Sequence, residues 1–262
     1  MNKEEWLSIC ADSVHRLDRD RLMCSTLAPD DKQESLIALL AFNLEIAAIP
    51  DIVSESLLGE MRLQWWRDAI GSFYEGGRLD HPVALGVADA IQAHNLSRHL
   101  FNDYLDAGSF DLSDEPPKSL TELESHAEAS AGSLNELMAE ALGSADLEGD
   151  LPKTVHLAAR QSAIAWALTG WLYDGRSRYL PIECEKPVLE IAEAAWRLIH
   201  QSRSVAGKIP KAFLPVMMPT YLASHRLKRL AQYDYDATHE KLRRPALGRL
   251  PGFYWKVLTK SY

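Results

Sequence analysis

Between Ala163 and Leu172 the chain reads Ala-Ile-Ala-Trp-Ala-Leu-Thr-Gly-Trp-Leu, apolar on nearly every side of the helix that such a run forms. A helix without a polar face has to be enclosed by other elements. This run therefore predicts a central helix inside a bundle. A second apolar stretch, Leu36 to Ile49, is too short to span a bilayer and carries Asn43 and Glu45, so it reads as another buried helix.

The rest of the sequence keeps helical spacing, with no fixed-period repeat. Helices are predicted over Glu4 to Arg16, from about Lys32 to Ala48 with Asp30 or Asp31 as cap, from Asp51 to Tyr74, and over Pro82 to Ala93 and Ser97 to Ala107. Others follow over Leu120 to Leu142, Lys153 to Tyr173, Pro187 to Ser204 and Pro215 to Tyr233, then a short last helix beyond Pro245. Gly108 to Lys118 is an exposed loop rather than a domain boundary, because neither side looks complete alone. With 47% hydrophobic and 25% charged residues, the chain is expected to form one all-α domain over residues 1–262.

Charge excludes a general nucleic-acid binder, since the formal net charge is −9. Basic residues gather late, in His225, Arg226, Lys228 and Arg229 and again in Lys241, Arg243, Arg244 and Arg249. They read as a solvated helix face, with a docking patch for acidic lipid or protein as the alternative. Cys10, Cys24 and Cys184 lack metal-ligand spacing and fit a reducing compartment. The N-terminus has no signal or transit pattern, so a bacterial cytoplasmic location is expected, at most peripheral to the inner membrane. Nucleophile elbows, phosphate loops, dinucleotide fingerprints and zinc helices are missing, and His94 and His99 read as surface residues.

Two segments carry a family resemblance. The first runs Ala41-Phe42-Asn43-Leu44-Glu45-Ile46-Ala47, then Pro50-Asp51-Ile52-Val53-Ser54-Glu55 and Gly59-Glu60-Met61-Arg62-Leu63-Gln64-Trp65-Trp66-Arg67-Asp68. The second is Ala167-Leu168-Thr169-Gly170-Trp171-Leu172-Tyr173-Asp174, followed by Tyr179-Leu180-Pro181. Together they resemble the squalene/phytoene synthase family, and within it the branch containing mitochondrial complex I assembly factor 6 and its bacterial relatives.

The resemblance implies an isoprenoid synthase fold, a helical bundle around a central cavity. It also implies two aspartate-rich motifs that hold Mg²⁺ against a prenyl diphosphate, the metal neutralising the departing group. Against the first motif, Asp-Asp-x-x-Asp, Pro50 and Ser54 stand at two aspartate positions and Asp51 survives, with Glu55 one residue late. Against the second, Gln-Leu-Thr-Asn-Ile-Leu-Arg-Asp, the changed positions are Ala167, Gly170 and Tyr173, and Asp174 remains. Asp51, Glu55 and Asp174 are thus the candidate metal ligands, with Asp51 and Glu55 an i, i+4 pair on one helical face. Arg176 and Arg178 are the diphosphate candidates, since guanidinium forks suit phosphate oxygens.

Phe42, Trp65, Trp66, Thr169, Trp171 and Tyr173 are expected to line the cavity. Adjacent Trp65 and Trp66 point about 100° apart on a helix, so one fills core and the other borders cavity or surface. Glu45 is costly to bury alone, and Arg62 or Arg67 is the expected ion-pair partner. Ala131-Gly132, near His126, would let helices approach closely. Three functions follow from the resemblance: a catalytically reduced assembly factor for respiratory NADH dehydrogenase, an Mg²⁺-dependent prenyl transferase, and a non-catalytic holder of an isoprenoid or other lipid.

Overall fold

The computed structural model describes residues 1–113, 115–143, 151–173, 177–243, 249–259 and 262. In chain order the α-helices are α1 (Lys3–Leu17), α2 (Arg19–Ser25), α3 (Asp30–Ala47), α4 (Ile49–Ile52), α5 (Ser56–Tyr74), α6 (Pro82–His94) and α7 (Arg98–Asp111). They continue as α8 (Leu120–Ala127), α9 (Ser133–Gly143), α10 (Lys153–Tyr173), α11 (Pro187–Ser204), α12 (Leu214–Met217), α13 (Pro219–Ala231) and α14 (Arg249–Thr259). No strand occurs among the described residues. Two compact units make up the chain: Met1–Ser113 with Ser133–Pro152, and Asp114–Gly132 with Lys153–Tyr262.

In the first unit α3 is the hub, packed by α1, α2, α6 and α9. Leu36, Leu39, Leu40 and Phe42 are fully buried there. Gly86 of α6 lies where a Cβ would come within 2.8 Å of the Trp6 ring and 2.9 Å of the Ala38 Cβ, so its hydrogen is what lets α1, α3 and α6 meet. Asn2 and Glu5 form a reciprocal capping box that starts α1. Lys32 is buried, and its ammonium donates to the Ala141 carbonyl at 2.9 Å, placing a cation on the last turn of α9.

In the second unit the hub is α10, contacted by α8, α11, α12 and α13. None of the residues Ala163 to Leu172 is exposed, as the sequence predicts for an enclosed helix. Two buried hydroxyl contacts tie it in: Thr220 donates to Ser162 at 2.8 Å, and Ser202 donates to the Ala158 carbonyl at 3.2 Å. Between α8 and α9 the helix widens into a π turn, Glu128–Gly132.

Several expected boundaries differ. The helix predicted from Asp51 to Tyr74 is interrupted: α4 is a single turn ending at Ile52, and Val53 and Glu55 are extended. Pro50 restarts the helix, and the restart lasts one turn. Pro219 splits the Pro215 to Tyr233 segment by the same chemistry. Neither Asp30 nor Asp31 caps α3; both sit inside its first turn behind Pro29, favoured there by the macrodipole. The short helix α2 had no counterpart in the sequence reading, and α7 extends to Asp111 through residues assigned to the loop.

His94 is half-buried rather than a surface residue, with Nε2 and the Ser35 hydroxyl 2.9 Å apart, whereas His99 is exposed. Burial lowers the His94 pKa below its ordinary value, and nearby Lys32 pushes the same way. Unfolding restores the ordinary value, so the unfolded chain binds the proton more readily. This contribution to stability is whole above about pH 6.5 and is lost as the pH falls below it. Denaturation midpoints measured at about pH 7.5 and about pH 5.5 should fall more for the wild type than for His94→Gln. Equal losses would remove His94 from the pH dependence.

Candidate functional site

The two motif segments lie in different units. In the first unit α3 carries Phe42 into a cluster of rings: Trp66 at 5.0 Å, Tyr104 at 5.3 Å and Phe101 at 5.7 Å between centroids. Tyr104 donates to the Asn43 side chain at 3.0 Å, which accounts for an amide inside an apolar helix. The tryptophans divide as the helix geometry requires. Trp66 is buried, Trp65 is exposed, and both rings pack on His81.

The expected pairing of Glu45 is not made. Glu45 is exposed, as is Arg62, so no burial cost demands a partner. Arg67 instead meets Asp106 at 3.1 Å and Glu60 at 3.9 Å. Its place on α5, which packs on α7, points it along that interface.

Asp51 and Glu55 do not share a helical face. Asp51 lies inside the single turn α4, and its i−3 and i−4 neighbours are Ala48 and Ala47, two methyl groups. Glu55 lies past the extended Val53 and precedes α5. Asp174 and Arg176 lie outside the described residues. Among the described residues no group of three or more His, Cys, Asp or Glu side chains could hold a metal ion.

In the second unit, α10 shows which positions of its motif are held by packing. Leu168, Thr169 and Leu172 are buried, and the Thr169 hydroxyl donates to the Trp166 carbonyl at 2.9 Å. Trp166, Ala167, Gly170, Trp171 and Tyr173 are half-buried, and their spacing puts them on one face. Ala167, Gly170, Trp171 and Tyr173 are the described positions at which the chain departs from the motif. The departures therefore fall on the half-buried face, and the kept Leu168, Thr169 and Leu172 fall in the core.

Over that face lies Arg226 of α13. Its guanidinium carbon stands 3.9 Å from the Trp166 ring centre and 5.6 Å from that of Tyr173. A Cβ on Gly170 would come within 3.8 Å of its Nη1, so residue 170 is part of the seat. The Tyr173 hydroxyl donates to the Arg226 carbonyl at 2.7 Å, and burial raises that phenol above its usual range, keeping it a donor.

On the flank of the same face three rings stack. Trp171 and Tyr179 lie 4.3 Å apart, and His126 lies 5.4 Å from Trp171. Arg178 sits 5.7 Å above the Tyr179 ring, in the short turn Ser177–Tyr179. A Cβ on Gly132 would make only ordinary contacts, the nearest at 3.7 Å, so close helix approach does not explain that glycine.

Sequence reasoning missed Arg226, which it grouped with a solvated basic face. The available signal was Gly170, a missing side chain where the family motif carries an asparagine. Such an opening admits a long residue from a neighbouring helix.

The architecture is the isoprenoid synthase fold. It matches a crystal structure of a dehydrosqualene synthase with a TM-score of 0.79, covering 98% of this chain and 96% of that one at 15% identity. A squalene synthase from Alicyclobacillus acidocaldarius gives 0.75, with 89% and 95% covered at 12% identity. The squalene/phytoene synthase family model matches residues 14–178, and the chain belongs to that family. Among curated relatives, complex I assembly factor 6 of Bos taurus is 29% identical over 90% of this chain and 77% of its own length. The Homo sapiens protein of the same name is 28% identical over 89% and 76%.

If Arg226 is a structural cation, Arg226→Gln should lower unfolding free energy by about 1–2 kcal/mol. Trp166→Leu should remove most of that difference in a double-mutant cycle followed by urea denaturation. Additive effects would mean that the ring and guanidinium do not couple.

Proposed function

We propose that this chain serves the assembly of respiratory NADH dehydrogenase (complex I) and has given up head-to-head prenyl transfer. The observation that carries the reading is that its curated relatives, matched along most of their length, are named complex I assembly factors. The site supports the same reading. Asp51 is backed by two alanines, Glu55 lies across a helix break, and the open face of the second motif holds Arg226. Mg²⁺ and a prenyl diphosphate have no part in this reading. The partner is a subunit of the NADH dehydrogenase or another factor acting on it.

No helix among the described residues is long and apolar enough to cross a membrane. We place the chain in the bacterial cytoplasm, working at the membrane-bound complex from that side.

Two measurements test the function together. Deleting the gene should lower assembled, NADH-oxidising complex I severalfold, and restoring the chain should recover it. Purified protein incubated with farnesyl or geranylgeranyl diphosphate and Mg²⁺ should form no condensed product. Turnover that Asp51→Ala and Asp174→Ala abolish would overturn the reading in favour of prenyl transfer.

A further inference from the structure

The inner face of α5 is packed and its outer face is bare. Leu63, Trp66, Ile70 and Phe73 are buried, and Gly59 lies against the Leu112 side chain. The Ser56 hydroxyl donates to the Leu112 carbonyl at 3.0 Å, so the helix is held along its inner side from its first turn to its last. Its outer side carries Leu57, Met61 and Trp65 at i, i+4 and i+8, which are 68%, 63% and 43% exposed. Leu58 widens this stripe, and exposed Ile52 of α4 precedes it across the extended residues Val53 and Glu55. A surface helix ordinarily turns charged groups to water, so a contiguous apolar stripe marks a contact surface.

Trp65 is already set for such a contact. Its ring meets Trp66 edge-on at 4.9 Å and His81 at 5.7 Å between centroids, which fixes its orientation while part of the ring stays open. A ring held in this way loses little freedom on binding, and tryptophans of this kind carry much of the energy of protein interfaces.

Charge indicates what the contact is. Exposed Asp51 and Glu55 stand before the stripe, and exposed Asp68, which accepts from Gln64, lies one turn beyond Trp65. Arg62, beside Leu58, is the exception. The unit formed by Met1–Ser113 with Ser133–Pro152 holds 24 Asp and Glu against nine Lys and Arg. Among its described residues 13 Asp and Glu are exposed against six Lys and Arg, so the acidity is at the surface. An anionic bilayer is repelled by such a surface, and two copies meeting stripe to stripe would set acids against acids. A protein helix with an apolar face bordered by Lys and Arg is complementary in both respects.

We propose that the outer face of α5 is a docking surface for a basic amphipathic helix of a partner protein. The apolar face of that helix lies along Leu57, Met61 and Trp65, and its Lys and Arg meet Glu55 and Asp68. This inference does not rest on the assembly reading, since it concerns the chemistry of what the surface takes rather than which protein brings it.

The test uses the whole chain and two helical peptides of about 18 residues with the same leucine face, one bearing lysine and the other glutamate elsewhere. The lysine peptide should bind one to one, release as salt is raised, and bind at least about tenfold more tightly than the glutamate peptide. A Leu57→Ser/Met61→Ser variant, altered only at exposed positions, should keep its helical circular dichroism and bind the lysine peptide about tenfold more weakly. Leu17→Ser, at an exposed leucine of α1, should bind it as the wild type does. In cells, a photoreactive side chain in place of Met61 should cross-link to a protein segment rich in Lys and Arg with apolar residues at helical spacing. Equal binding of the two peptides, undiminished binding by the double variant, or an equal loss in Leu17→Ser would each overturn the proposal. So would cross-links from position 61 to lipid, to an acidic segment, to a second copy or to nothing.

Discussion

A helix with no polar face is stable only when something covers every side of it, and α10 meets that condition through α8, α11, α12 and α13. Burial at Leu168, Thr169 and Leu172 then fixes the rotation of the helix. Once rotation is fixed, Ala167, Gly170 and Tyr173 have to fall together on the half-buried side beneath Arg226. Packing and chemistry are thereby written on different residues of one motif. Core positions cannot change without a cavity or an overpacked contact, whereas open positions change at little cost to stability.

The same separation appears in the first unit. Phe42, Trp66, Phe101 and Tyr104 interlock as rings, and Asn43 is satisfied by the Tyr104 hydroxyl. Further along the chain, α3 ends at Ala47, and Ala47 and Ala48 occupy the turn before Asp51.

The sequence made the long helices legible because their apolar periodicity is strong: α10 and α11 keep their expected limits, Lys153–Tyr173 and Pro187–Ser204. The tryptophan pair was also legible, since about 100° per residue forces Trp65 and Trp66 apart. The Asp51 and Glu55 geometry was not. Proline announces a disturbance without saying whether the helix resumes for one turn or for five. Glu45 was misplaced for a related reason, because an apolar neighbourhood in sequence says nothing about which side of α3 a residue faces. Arg226 could not be assigned from α13 alone, since its seat is made by α10.

The proposed assembly role uses the synthase frame without its aspartates. Its most direct test replaces the two aspartates that remain at the motifs, as Asp51→Asn and Asp174→Asn together, in cells lacking the native chain. Assembled complex I is then measured by its NADH-oxidising activity in native gels. The account predicts assembly equal to that restored by the wild-type chain. Loss of assembly, with the variant present at normal levels, would mean that the carboxylates still carry the function and would contradict it.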